Sequence, residues 1–83
     1  MKIGIETAKE LGKAGASYEG GLTQTNSGIH IQLTWNRNVV VDKFLPARDM
    51  PRDDFMQDIF IAHHIRKLAE RLSELIKREE KFV

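Results

Sequence analysis

The chain of 83 residues contains no cysteine. Disulfides and thiolate zinc sites are excluded, and with them the usual staples of small secreted domains. Proline occurs only at Pro46 and Pro51, and tyrosine and tryptophan only at Tyr18 and Trp35. No apolar run approaches the roughly 18 residues of a membrane span. "MKIGIETAKEL" lacks the apolar stretch of a signal peptide, so a cytoplasmic setting is expected. An excess of one charge is missing too: the formal net charge is +1. A basic patch of the kind that marks many nucleic-acid binders is therefore not visible, nor is an acidic, DNA-mimicking surface.

What is present describes an ordinary globular chain, 41% hydrophobic and 30% charged. It suits a single domain over residues 1–83, of a size that buries only about 60% of its unfolded surface and is modestly stable.

Within residues 1–15, "GIETAKELGKAG" predicts a short helix. Thr7 and Glu10 have the spacing of a capping box, Gly15 supplies a stop, and Ile5, Ala8 and Leu11 share one face. From residue 17 to 45 the apolar period becomes two. Ile29, Ile31, Leu33 and Trp35 alternate with His30, Gln32 and Thr34, the pattern of a half-buried strand. A loop at "NRN" (36–38) pairs Trp35 with Val39, Leu33 with Val41 and Ile29 with Leu45, which puts the large apolar groups on one face. Upstream, "SYEGGLTQT" is a third strand, with Gly20-Gly21 at a bulge. A loop at "TNSG" sets Leu22 opposite Ile31 and Tyr18 opposite Trp35. Such a sheet needs its apolar face covered. A long helix over residues 51–81, with Pro51 in its first turn and Asp53 and Asp54 at its positive end, is the element large enough to do so. The expected architecture is α+β, in the order αβββα.

On the long helix, Phe55, Ile61, Ala62, Ile65, Leu68, Ala69, Leu72, Leu75 and Ile76 form one stripe at about 100° per residue. Within it Ile61, Ile65, Leu68, Leu72 and Leu75 step by four and three, as in a heptad seam. A helix of this length overshoots a three-stranded sheet, so Leu68, Leu72 and Leu75 are candidates for a homodimer seam. The opposite side carries Met56 and Phe60, with Ile59 at its shoulder and His63 and Lys67 continuing the line. A helical segment that is apolar all round is normally covered all round. Met56, Ile59, Phe60, His63 and Lys67 are therefore the candidate partner-binding residues, and His63 at the rim would make docking pH-sensitive.

His63 and His64 point about 100° apart and do not share a metal from a helix, where pairs four apart are used. No metal site and no cofactor are expected. Asp54 and Asp58, four apart, face the apolar stripe. They either meet His30, Arg37, Lys43 or Arg48, or cap the helix in contact with water. Catalysis by Asp54, Asp58 and His30 would require a pocket joining all three. No nucleophile elbow, phosphate loop or dinucleotide fingerprint accompanies them, so no catalytic residues are assigned and the chain is not expected to be an enzyme.

The reading that follows is a small non-enzymatic protein-binding module. A chain of this kind would regulate or inhibit a larger complex, as phage and mobile-element accessory proteins do. The alternative comes from topology. Helix, three strands, helix resembles the double-stranded-RNA-binding domain, and Gly28-Ile29-His30 is similar to that family's loop between its first two strands. The resemblance implies a nucleic-acid-binding domain, with His30, Arg37 and Lys43 on the sheet side able to meet a backbone. Where that family carries a basic cluster, at the start of its last helix, this chain has "RDMPRDD" (48–54). Its aspartates repel phosphate.

Overall fold

The computed structural model describes residues 3–80, with side chains through residue 78. Its elements are α1 (Ile5–Gly15), β1 (Glu19–Thr25), β2 (Gly28–Trp35), β3 (Val39–Pro46), a short 3₁₀ turn (Ala47–Asp49) and α2 (Asp54–Glu80). The α+β order is the expected one. The three strands form one antiparallel sheet in the order β1-β2-β3.

The registers follow the apolar alternation. Trp35 faces Val39, Leu33 faces Val41 and Ile29 faces Leu45. Leu22 faces Ile31. Strand side chains alternate between faces, so this register collects Ile29, Ile31, Leu33, Val39, Val41 and Leu45 on one side, where all are buried. The expected bulge at Gly20-Gly21 is not formed: pairing runs unbroken from Glu19 opposite Thr34 to Thr25 opposite Gly28. Gly20 instead takes φ 126°. A Cβ there would run into the carbonyl oxygen of Gln32, so glycine allows close approach of β1 to β2 without an inserted residue.

At the β2–β3 turn Asn36 and Arg37 both have positive φ, 53° and 62°. The Asn38 N–H closes the turn on the Trp35 carbonyl at 3.3 Å. Two consecutive left-handed residues match the twist of a hairpin, and asparagine tolerates that conformation better than arginine does. Replacing Arg37 with glycine is expected to raise unfolding stability by about 1 kcal/mol, read as a higher urea midpoint at unchanged slope. An unmoved midpoint would show that the arginine conformation costs nothing here.

Both helices cover the apolar sheet face, α2 over β2 and β3 and α1 beside it over β1. Ile61, Ala62, Ile65, Leu68 and Leu72 of α2 are buried, and Ala14 of α1 joins the same core. The start of α2 differs from expectation. Pro51 stays outside the helix, and Asp53 caps it, its Oδ2 accepting from the Met56 N–H at 3.0 Å. A side-chain acceptor three residues ahead of an unpaired N–H stabilises a helix start more directly than a proline does. The expected end at Lys81 lies outside the described residues.

Helix α1 shows the larger departure. Thr7 and Glu10 form no capping box, since the N-cap is Gly4 and it offers no side-chain bond. Both lie inside the helix and are buried, whereas Ile5 and Ala8 face outward. The first two turns of α1 are polar on their inward side because its neighbour, α2, presents Asp58 and Arg66 to them, while Leu11 and Ala14 further along meet the apolar core.

Candidate functional site

The start of α1 is built by a residue far away in sequence. Asp58 of α2 accepts from the Glu6 N–H at 3.0 Å and from the Thr7 N–H at 2.8 Å. The Thr7 hydroxyl donates to the Asp58 carbonyl at 3.1 Å. Asp58 thus supplies the N-terminal cap that Gly4 cannot. Gly4 has to be glycine for steric reasons, because a Cβ there would collide with the Asp58 carboxylate. Partial burial, the largest single influence on this carboxyl, opposes its ionisation. The N–H groups of Thr7 and Glu6, with the Thr7 hydroxyl, outweigh that and hold it below its ordinary value of 3.8. One turn further along α1, Glu10, 7% exposed, meets Arg66 through Nη2 at 3.0 Å and Nε at 3.3 Å. The two contacts hold α1 alongside α2, with both chains running the same way.

This arrangement leaves the outer side of the paired helix starts uncovered. Phe55 is 67% exposed, Met56 50% and Ile59 41%, and Ile3 and Ile5 join them from the N-terminal segment. Glu6, Phe55, Ile59, Ala62, His63 and Arg66 line one shallow depression. A second, adjoining it at Phe55, is lined by Ile3, Ile5 and Asp58 among others. Of the seven large apolar side chains exposed among the described residues, five belong to this end, and the other two, Val40 and Phe44, lie on β3. Among the described residues, exposed large apolar side chains are thus concentrated at this end of the helix pair.

Of the five residues expected to bind a partner, Met56, Ile59, His63 and Lys67 are exposed on the outer side of α2. Phe60 is not part of that surface. It is half-buried against the core, beside Phe44, Leu45 and Pro46 of β3, with its ring 4.7 Å edge-on from His64. The edge of β3 reaches around the helix far enough to cover it. Phe55 moves the other way, from the expected core stripe to the outer surface. It sits in the first turn of α2, with the patch residues around it. The expected dimer seam is likewise corrected. Leu68 and Leu72 are buried within the chain's own core and Leu75 packs half-buried against it, so that stripe is already occupied.

The histidine doublet divides as its spacing implies. His63 faces outward, its ring 5.5 Å from that of His64. His64 is half-buried in the cleft between α2 and β3. Burial, then the nearby charges of His63 and Lys43, push its pKa below 6.5. Among the described residues no three His, Asp or Glu side chains are placed to hold a metal ion.

Asp54, Asp58 and His30 are not brought together. Asp54 is exposed at the start of α2 and Asp58 is engaged with α1. His30 alternates with buried Ile29 and Ile31, which turns it to the sheet face away from the helices, and it pairs there with Asp42 at 3.1 Å. Lys43, opposite Ile31, faces the helix side and lines a cleft with His64 and Lys67 rather than reaching Asp58.

The sequence pattern did not mark Ile3, and it placed Ile5 on a shared helix face and Phe55 in the core stripe rather than on this exposed surface. Helical periodicity assigned Phe55 an angle but not the point at which the sheet stops covering the helix. Among the described residues no helix is long and apolar enough to cross a membrane. Compared with known proteins, the chain matches no family model, no curated protein and no solved structure.

Proposed function

We propose that this chain is a non-enzymatic protein-binding module. Its contact surface is the outer side of the paired helix starts, centred on Phe55, Met56 and Ile59 and flanked by His63 and Lys67. One observation carries the reading: three large apolar side chains stand exposed within five positions of a helix whose outer face is otherwise charged. Apolar and aromatic anchors within a polar rim are what the centre of a protein interface needs. Regulation or inhibition of a larger complex, of the phage or mobile-element accessory type, is the role we assign. A cysteine-free chain suits the reducing cytoplasm.

A photo-crosslinking amino acid at position 59, in cells producing the chain, is expected to give one discrete polypeptide adduct. The same group at Lys77, beyond the patch on α2, is expected to give none. Equal labelling at both positions, or no adduct at 59, would count against the patch.

The second reading, a nucleic-acid-binding domain, is favoured by both helices lying on one face of a three-stranded sheet in the order αβββα. Against it, the exposed Asp53 and Asp54 stand where a phosphate would approach the last helix. Binding to duplex RNA that weakens steeply between 50 and 200 mM salt, by about 10³-fold or more, is the behaviour that would favour this alternative.

A further inference from the structure

The patch has polar rims of opposite sign at its two ends. Toward the helix starts lie Glu6, Asp53 and Asp54, which among the described residues outnumber the one exposed cation there, Arg52, and about two turns beyond Ile59 lie Arg66 and Lys67, with His63 beside them. Along the axis of α2, at about 1.5 Å per residue, Asp54 is about 8 Å to one side of Ile59 and Lys67 about 12 Å to the other. We infer that the partner seated on this patch is a second copy of the chain, with the two α2 helices crossing antiparallel about a two-fold axis near Ile59. The inference rests on the patch being a protein-binding surface and names its occupant.

A two-fold axis there lays the acidic rim of one copy over the basic rim of the other, twice. A parallel pairing would set acid on acid and base on base. An isologous contact requires this self-complementarity, since a residue that meets a second residue of the other copy has its own counterpart met by that second residue in turn. Phe55, Met56 and Ile59 from each copy then form the centre, and Ile3 and Ile5 close its flank. Of the basic rim charges, Lys67 is the one most easily re-paired. Among the described residues Lys67 is held only by Glu70, in an exposed pair at 3.8 Å of the kind that contributes little. Arg66 remains about half exposed while bound to Glu10. Self-association by this face leaves the chain's own core untouched, unlike a seam through Leu68 and Leu72.

Because the chain has no cysteine, a single introduced thiol reports contact without ambiguity. Ile59→Cys is expected to form a disulfide-linked dimer under mild oxidation, because a residue near the two-fold axis meets its own copy. Lys77→Cys, remote from the axis, is expected to form no disulfide link between copies. Sedimentation of the unmodified chain should give the dimer mass. Ile59→Asp should raise the dissociation constant about 100-fold or more while circular dichroism stays native. A native chain that remains monomeric at millimolar concentration overturns the inference, while the photo-adduct at position 59 still decides separately whether another protein binds. A dimer that survives Ile59→Asp overturns it too, and places self-association elsewhere. Cross-linking by Lys77→Cys as efficient as by Ile59→Cys would exclude the antiparallel crossing.

Discussion

Replacing Asp58 with alanine is expected to remove about 2–3 kcal/mol of stability, a large share of what so small a domain has. The loss has two parts. Two charge-assisted bonds to the Glu6 and Thr7 N–H groups disappear, and those partly buried donors at the start of α1 are left without partners. At about 4–8 °C per kcal/mol for a domain of this size, the melting temperature should fall by about 10–20 °C. Hydrogen exchange should rise first in α1, since its start is held on the rest of the protein by this one side chain. Gly4→Ala, which drives a methyl group into the same carboxylate, should reproduce the pattern without touching Asp58. An Asp58→Ala protein that melts within 2 °C or so of the parent would show that α1 is held by Glu10 and Arg66 instead.

The same carboxylate fixes a pH dependence. Its folded pKa lies below 3.8, so as pH falls the unfolded chain takes up the proton first. The stabilisation is therefore complete above the ordinary carboxylate range and is lost as pH drops through the lowered folded value. The stability difference between the parent and Asp58→Asn should be constant from about pH 5 to 8 and shrink below about pH 4. A difference that persists unchanged to pH 2 would remove Asp58 ionisation as its source.

Leu72→Ala is expected to cost about 3–5 kcal/mol, the largest effect of any substitution considered. Leu72 is fully buried, packed in the core shared by α2 and the sheet. Truncation leaves a cavity that the surrounding strands, fixed by their ladders, cannot collapse to fill. The loss should appear as a fall in urea midpoint relative to the parent that is the same at every protein concentration. A seam between two chains would behave otherwise, its loss growing smaller as concentration rises. Pairing Leu72→Ala with Ile59→Ala separates the two surfaces: the first lowers the stability of each chain, the second the association between chains.

Much of this fold follows from local pattern. The alternation from Ile29 to Trp35, the turn residues at 36–38 and the apolar positions of β3 fix the register, because a slip by one residue would turn every large side chain to water. The stripe from Ile61 to Leu72 fixes which side of α2 is buried, through the 3.6-residue period alone. Local pattern did not place Phe55, Phe60, Thr7 or Glu10. Phe55 and Phe60 exchange roles because the edge of β3 wraps around one flank of α2 and leaves its first turn bare on the other, and no periodicity encodes where a sheet ends. Thr7 and Glu10 have the spacing of a local cap but are turned inward by Asp58 and Arg66, more than fifty residues away. A helix start takes whichever acceptor reaches its N–H groups, and which one does is settled only when the chain has folded back on itself.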